Sequence, residues 1–94
     1  MSTYILLGRY TLEAMKGINA KRTRMAKDLA QKYKGNLKSV YALCGKNDLL
    51  LIAEFPGTDQ VMQFSISLTR QTGIAFSTSE AVPGDHFDQI MEKV

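Results

Sequence analysis

Ile5, Leu6 and Leu7 lie between Tyr4 and Tyr10, and this aliphatic and aromatic run predicts a strand over residues 4–10. Thr11 follows as a helix cap, with Glu13 placed favourably in the first turn. From residue 12 to residue 33 the apolar positions return at helical spacing: Leu12, Met15, Ile18, Met25, Ala26, Leu29, Ala30 and Tyr33 share one arc. Gly17 and the polar stretch 19–24 interrupt that arc, so either one long helix or a short turn followed by a main helix fits the pattern. Gly35-Asn36 is the stop signal.

Residues 37–44 and 49–55 read as two further strands joined by Gly45-Lys46-Asn47-Asp48, a tight turn that makes them an antiparallel hairpin. If that turn has a two-residue loop of type I′, Lys46 and Asn47 occupy its centre with positive φ. Pro56-Gly57 ends the hairpin. Thr58 or Asp59 then caps a second helix that carries Val61, Phe64 and Leu68 on one face and stops at Gly73. A fourth strand is expected over 74–82, a break at Pro83-Gly84, and a short helix over 85–93. The order is β-α-β-β-α-β plus a tail helix, a ferredoxin-like α+β arrangement with helices on one face of an antiparallel sheet.

Strict alternation would put Leu37, Ser39, Tyr41 and Leu43 on one sheet face with Leu49, Leu51, Ala53 and Phe55. Val40, Ala42, Cys44, Leu50 and Ile52 would then take the other face, and the first strand splits into Tyr4, Leu6 and Tyr10 against Ile5 and Leu7. Neither set is polar. Two helices cover one face of a four-stranded sheet, which leaves an apolar surface too large for a monomer. A second copy packed sheet against sheet across a two-fold axis would bury it.

Composition narrows the class. With 94 residues, 45% hydrophobic and 22% charged, the chain fits one domain over residues 1–94 and excludes disordered and fibrous classes. Its one cysteine, Cys44, excludes a disulfide framework and suits a reducing cytoplasm. The longest aliphatic run, 49–53, is too short to span a bilayer, and the start Met1-Ser-Thr-Tyr lacks the basic region of a signal peptide. Charge is uneven: residues 1–50 hold ten Lys/Arg against three Asp/Glu, and residues 51–94 hold two against six. The basic excess clusters between residues 11 and 34 without the interleaved aromatics of a base-stacking surface, so it reads as a solvated helix face and nucleic acid is not expected.

The segments Tyr4-Ile5-Leu6-Leu7-Gly8-Arg9-Tyr10-Thr11, Gly17-Ile18, Lys38-Ser39-Val40-Tyr41 and Gly45-Lys46-Asn47-Asp48 resemble the GYD domain family. The resemblance covers nearly the whole chain. It implies a small domain of the dimeric α+β barrel superfamily, a group without an agreed biochemical activity. Asn47 stands where that family usually has tyrosine, while Gly45 and Asp48 match. The Gly-x-x-Asp hairpin is also similar to the effector-binding domain of leucine-responsive transcription regulators, although no helix-turn-helix is present here.

Candidate chemistry is sparse. His86 stands alone in Asp85-His86-Phe87-Asp88, where a solvated helix residue fits better than a metal ligand. No serine lies in a nucleophile elbow, and no glycine pattern cradles phosphate. Cys44, at the end of an apolar strand, reads as a small buried hydrophobe rather than a reactive thiol. Asp48 reads as a turn carboxylate satisfied by backbone donors or as a ligand contact. Arg22 falls mid-way along the apolar arc of a continuous helix, where a guanidinium needs a partner, and a helix break near Ala20 removes the conflict.

These features describe a non-enzymatic small-ligand binding domain, homodimeric through its sheet faces and open to higher assembly. Its pocket is expected between helix and sheet or at the dimer interface. Arg9, Arg22, Tyr41, Asn47 and Asp48 are the ligand-binding candidates; no catalytic residue, metal or cofactor is assigned. The alternatives are a cofactor-independent oxygenase or isomerase, by analogy of fold, and a structural oligomer without ligand. The partners are then the chain itself and a small molecule, with no membrane.

Overall fold

The computed structural model describes residues 1–17 and 19–94; Ile18, assigned to the apolar arc of the first helix, lies outside the described residues. The elements run β1 (Ser2–Arg9), α1 (Leu12–Lys16), α2 (Lys21–Lys32), β2 (Asn36–Ala42), β3 (Leu49–Phe55), α3 (Thr58–Thr72), β4 (Ala75–Ala81) and α4 (Gly84–Glu92). The four strands form one antiparallel sheet in the order β2-β3-β1-β4. This is the ferredoxin-like arrangement expected from the sequence.

The first helix is broken. Thr11 caps α1 by accepting from the Ala14 N–H at 3.0 Å, and α2 starts afresh at Lys21. Because α1 is free of α2's phase, its inward side is Ala14, while Leu12 and Met15 are exposed. The single arc drawn from residue 12 to 33 therefore holds only for its second half, where Ala26, Leu29 and Ala30 are buried. At the end of α2 the left-handed conformation falls on Lys34, at φ 66°. Gly35 serves another need: a Cβ there would collide with the Phe55 ring and lie 2.6 Å from the Glu54 carbonyl.

The core lies between the sheet and α2 with α3. Tyr4, Leu6, Leu51, Ala53 and Phe55 meet Leu29, Ala30, Val61, Phe64 and Leu68. Phe55 anchors it, with ring centroids 5.1 Å from Phe64 and 6.4 Å from Tyr4. The two helices are tied by a 2.8 Å hydrogen bond between the Tyr33 and Ser67 hydroxyls. Gly73 closes α3 in the left-handed region at φ 77°. The α3 cap is Gly57 rather than Thr58 or Asp59, and Asp59 lies in the first turn.

Strict alternation fails in β2. A bulge between Leu37 and Ser39 shifts the register, so that Leu37 pairs with Ala53 but Val40 pairs with Leu51. An extra residue reverses every later side chain. Val40 thus joins Leu37 on the helix face, and Ser39 and Tyr41 move to the other face. There the ladder aligns Ser39, Ile52, Ile5 and Ser79 in one row and Tyr41, Leu50, Leu7 and Ser77 in the next. The open face is apolar over β3 and β1 and hydroxyl-rich along β4.

The hairpin connection is longer than a tight turn. Residues 43–48 form an irregular loop closed by the Leu43 N–H donating to the Asp48 carbonyl at 2.9 Å. Lys34 is the one non-glycine with positive φ among the described residues, so Lys46 and Asn47 do not form a type I′ turn. Cys44 lies in this loop and is exposed, contrary to the buried position expected when the strand was taken to run to residue 44. The last helix, α4, buries none of its residues; Phe87, Ile90 and Met91 are exposed along it.

The chain is accordingly spread out. It exposes 6468 Å² against about 5,400 Å² for a compact monomer of its mass, an excess of about 1,000 Å². Its radius of gyration, 14.2 Å, likewise exceeds the value of about 12.4 Å for this length.

Candidate functional site

A cavity of about 230 Å³ lies between α2, the C-terminal end of α3 and the sheet. Ala26, Val40, Leu49, Leu51, Leu68 and Phe76 give it an apolar wall. Of its polar lining residues, Tyr10, Asn19, Arg22 and Thr23 are the more exposed and form its rim, while Thr72 is buried. The β2 bulge makes this wall, since without it Val40 would turn away from α2.

Arg22 is held by helix ends. Nη1 donates to the Ala14 carbonyl at 2.8 Å and Nη2 to the Thr72 carbonyl at 3.3 Å. Both oxygens belong to the last turns of helices, α1 and α3, where carbonyls have no i+4 helical partner and the helix dipole favours a cation. The Ala14 carbonyl also accepts from the Gly17 N–H at 3.2 Å. The break between α1 and α2 permits this geometry, and Gly17 makes room for it: a Cβ there would lie 2.6 Å from Nη2. Among the described residues the one ion pair is Lys38 with Glu54 at 3.9 Å, so Arg22 has no carboxylate partner. Thr72, buried beside it, donates from its hydroxyl to the Leu68 carbonyl at 2.7 Å and accepts from the Ile74 N–H at 3.1 Å.

Asp48 is a brace. Its Oδ2 accepts from the Tyr10 N–H at 2.8 Å, and its own N–H donates to the Gly8 carbonyl at 2.8 Å. These bonds continue the β1–β3 association beyond the regular ladder and fix the backbone of Tyr10, which lines the cavity. Asn47 is half-buried in the same loop. Arg9 is exposed at the end of β1, opposite Ala75, and Tyr41 is 56% exposed on the open face of the sheet. Of the five residues singled out in the sequence, Arg22 alone lines the cavity. The apolar wall was not legible as a site, because its residues read simply as core.

Among the described residues no group of three or more His, Cys, Asp or Glu side chains is placed to hold a metal ion. No described helix is long and apolar enough to cross a membrane. His86 is exposed on α4.

The sheet order, the helices on one face and the cavity beneath them define a ferredoxin-like α+β protein. Within that class the chain belongs to the GYD domain family, whose model matches residues 4–91. Among solved structures the fold is similar to that of the leucine response regulatory protein of Mycobacterium tuberculosis, with a TM-score of 0.58 at 5% identity. The match covers 87% of this chain and 51% of that one, so this chain spans about half the length of the neighbour. No curated protein matches the sequence.

Proposed function

We propose that this GYD domain is a small-ligand binding module acting as a homodimer, with the ligand housed in the cavity between α2 and the sheet. The cavity carries the reading: an apolar interior with a few polar groups converging at its rim is the usual build of a small-molecule site. The structurally similar regulator is named for a response to leucine, which accords with such a use of the fold. Arg22 would contact the ligand directly. Asp48 would act on it through Tyr10, and Asn47 through the loop that holds Asp48. Arg9 and Tyr41, on the other side of the sheet, would serve the dimer.

The exposed surface supports the dimer. Ile5, Leu7, Leu50 and Ile52 form a contiguous apolar face, and none of the four is buried. The excess exposure of about 1,000 Å² is close to what one partner contributes to a standard interface, about 800 Å². Packing two such faces across a two-fold axis would remove it. The test of the ligand reading is methyl NMR with benzene as a neutral probe. Shifts confined to Ala26, Val40, Leu51 and Leu68, and lost when Ala26→Leu fills the space, are expected. A cavity that gives no response to any small apolar molecule defeats the reading.

A further inference from the structure

We infer that the ligand of this cavity is a small monocarboxylate with a branched aliphatic or single-ring body, its carboxylate held by Arg22. This deepens the reading of the cavity as a ligand site and rests on it. Three observations carry it: the charge of the lining, the unspent donors at its rim, and the size of the space.

Among the described residues no Asp or Glu lines the cavity, whereas Arg22 does. A guanidinium has five N–H donors. Two of them are engaged by the Ala14 and Thr72 carbonyls, which leaves three without an acceptor among the described residues. Those carbonyls are neutral, so the positive charge has no counter-ion among the described residues. An entering carboxylate would supply one, through charge-assisted bonds roughly twice as strong as neutral ones. An amine finds no carboxylate in the lining, and the ammonium of an amino acid finds none either. Asn19 does not alter this balance, since its amide already donates to the Gly17 carbonyl at 3.1 Å and its side-chain oxygen accepts from the Lys21 N–H at 2.9 Å.

Size limits the rest of the molecule. The cavity holds about 230 Å³, below the range of about 300–1,000 Å³ for drug-sized ligands. An apolar cavity of about 150 Å³ takes one benzene molecule. The space therefore suits one ring or a short branched chain, with the headgroup at the rim. The wall of Val40, Leu49, Leu51 and Leu68 offers that body no hydrogen-bond partner. The hydroxyl of Thr72, the buried polar residue of the lining, is already engaged by the Leu68 carbonyl and the Ile74 N–H. A second polar group turned toward that wall would therefore be unsatisfied.

Calorimetry and methyl NMR with matched pairs test the inference: benzoate against benzamide, and 3-methylbutanoate against 3-methylbutanamide. Each carboxylate should bind about tenfold or more tightly than its amide, the factor expected of a charge-assisted pair. In R22Q the two should fall to within about threefold of each other, and R22K should keep part of the preference. Equal binding of acid and amide to the native protein, or preference for 3-methylbutylamine, overturns the carboxylate assignment while leaving the cavity a ligand site. If neither member of a pair nor benzene moves the cavity methyls, the cavity reading fails and this inference with it. Should R22Q not fold, the comparison on the native protein still decides.

Discussion

Asp48 illustrates how a residue picked out for chemistry can have a structural task. Its carboxylate bonds the Tyr10 N–H, 38 residues away, and a neutral amide oxygen at the same place can still accept that bond. Asp48→Asn should therefore cost under about 1.5 kcal/mol, whereas Asp48→Ala strands the Tyr10 donor and should cost about 1–3 kcal/mol. Urea denaturation of the two variants separates these outcomes. Gly35 is a sharper case. Any side chain there meets the Phe55 ring at the centre of the core, so Gly35→Ala should destabilise by about 1–3 kcal/mol through overpacking. An unchanged midpoint in the same assay would show that Phe55 can yield. Lys46 and Asn47 do not take the positive φ that a type I′ turn requires. Asn47→Tyr consequently has no left-handed strain to introduce.

At the scale of elements, two local irregularities make the site. One is the break between α1 and α2, which turns Arg22 from a buried anomaly into a clamp on two helix C-termini. The other is the bulge in β2, which sends Val40 inward and Ser39 outward. Paired substitutions test the bulge. Val40→Asp places a charge against the apolar wall and should lower the melting temperature steeply, while Ser39→Asp should leave it within a few degrees. A regular, unbulged strand would reverse the two results. The sequence showed that α1 and α2 could separate, because Gly17 and the polar stretch after it are strong breakers. It gave no sign of the bulge, since Lys38-Ser39 has neither glycine nor proline to mark one.

For the whole molecule, the exposed area and the radius of gyration both exceed those of a compact monomer of its mass. Light scattering at micromolar concentration should give about twice the 10.5 kDa chain mass. Leu7→Lys should reduce it to the chain mass, because a two-fold axis doubles each introduced charge within the interface. The melting temperature of the native protein should also rise with concentration. A soluble native monomer with an unchanging melting temperature would remove the argument for the dimer. The basic face of α2, exposed at Lys21, Arg24 and Lys27, should bind nucleic acid only weakly and lose it by about 200 mM salt. Binding that survives such salt would give that face a partner.

The sequence alone determined which segments are strands and helices and hence the ferredoxin-like order, though not where the second strand ends. Those features arise from short-range physics: the periodicity of apolar residues, a cap at Thr11, breakers at Gly35, Pro56-Gly57 and Gly73. Only the tertiary structure decided which face each β2 side chain takes, which backbone Asp48 braces and what Arg22 holds. One inserted residue reverses a strand's faces without changing its composition. The partners of Asp48 and Arg22 lie 38 and 50 residues distant, or across a helix break. The cavity belongs to the same category. Its wall is made of ordinary core residues, and whether such residues close upon one another or leave room is settled by packing in three dimensions.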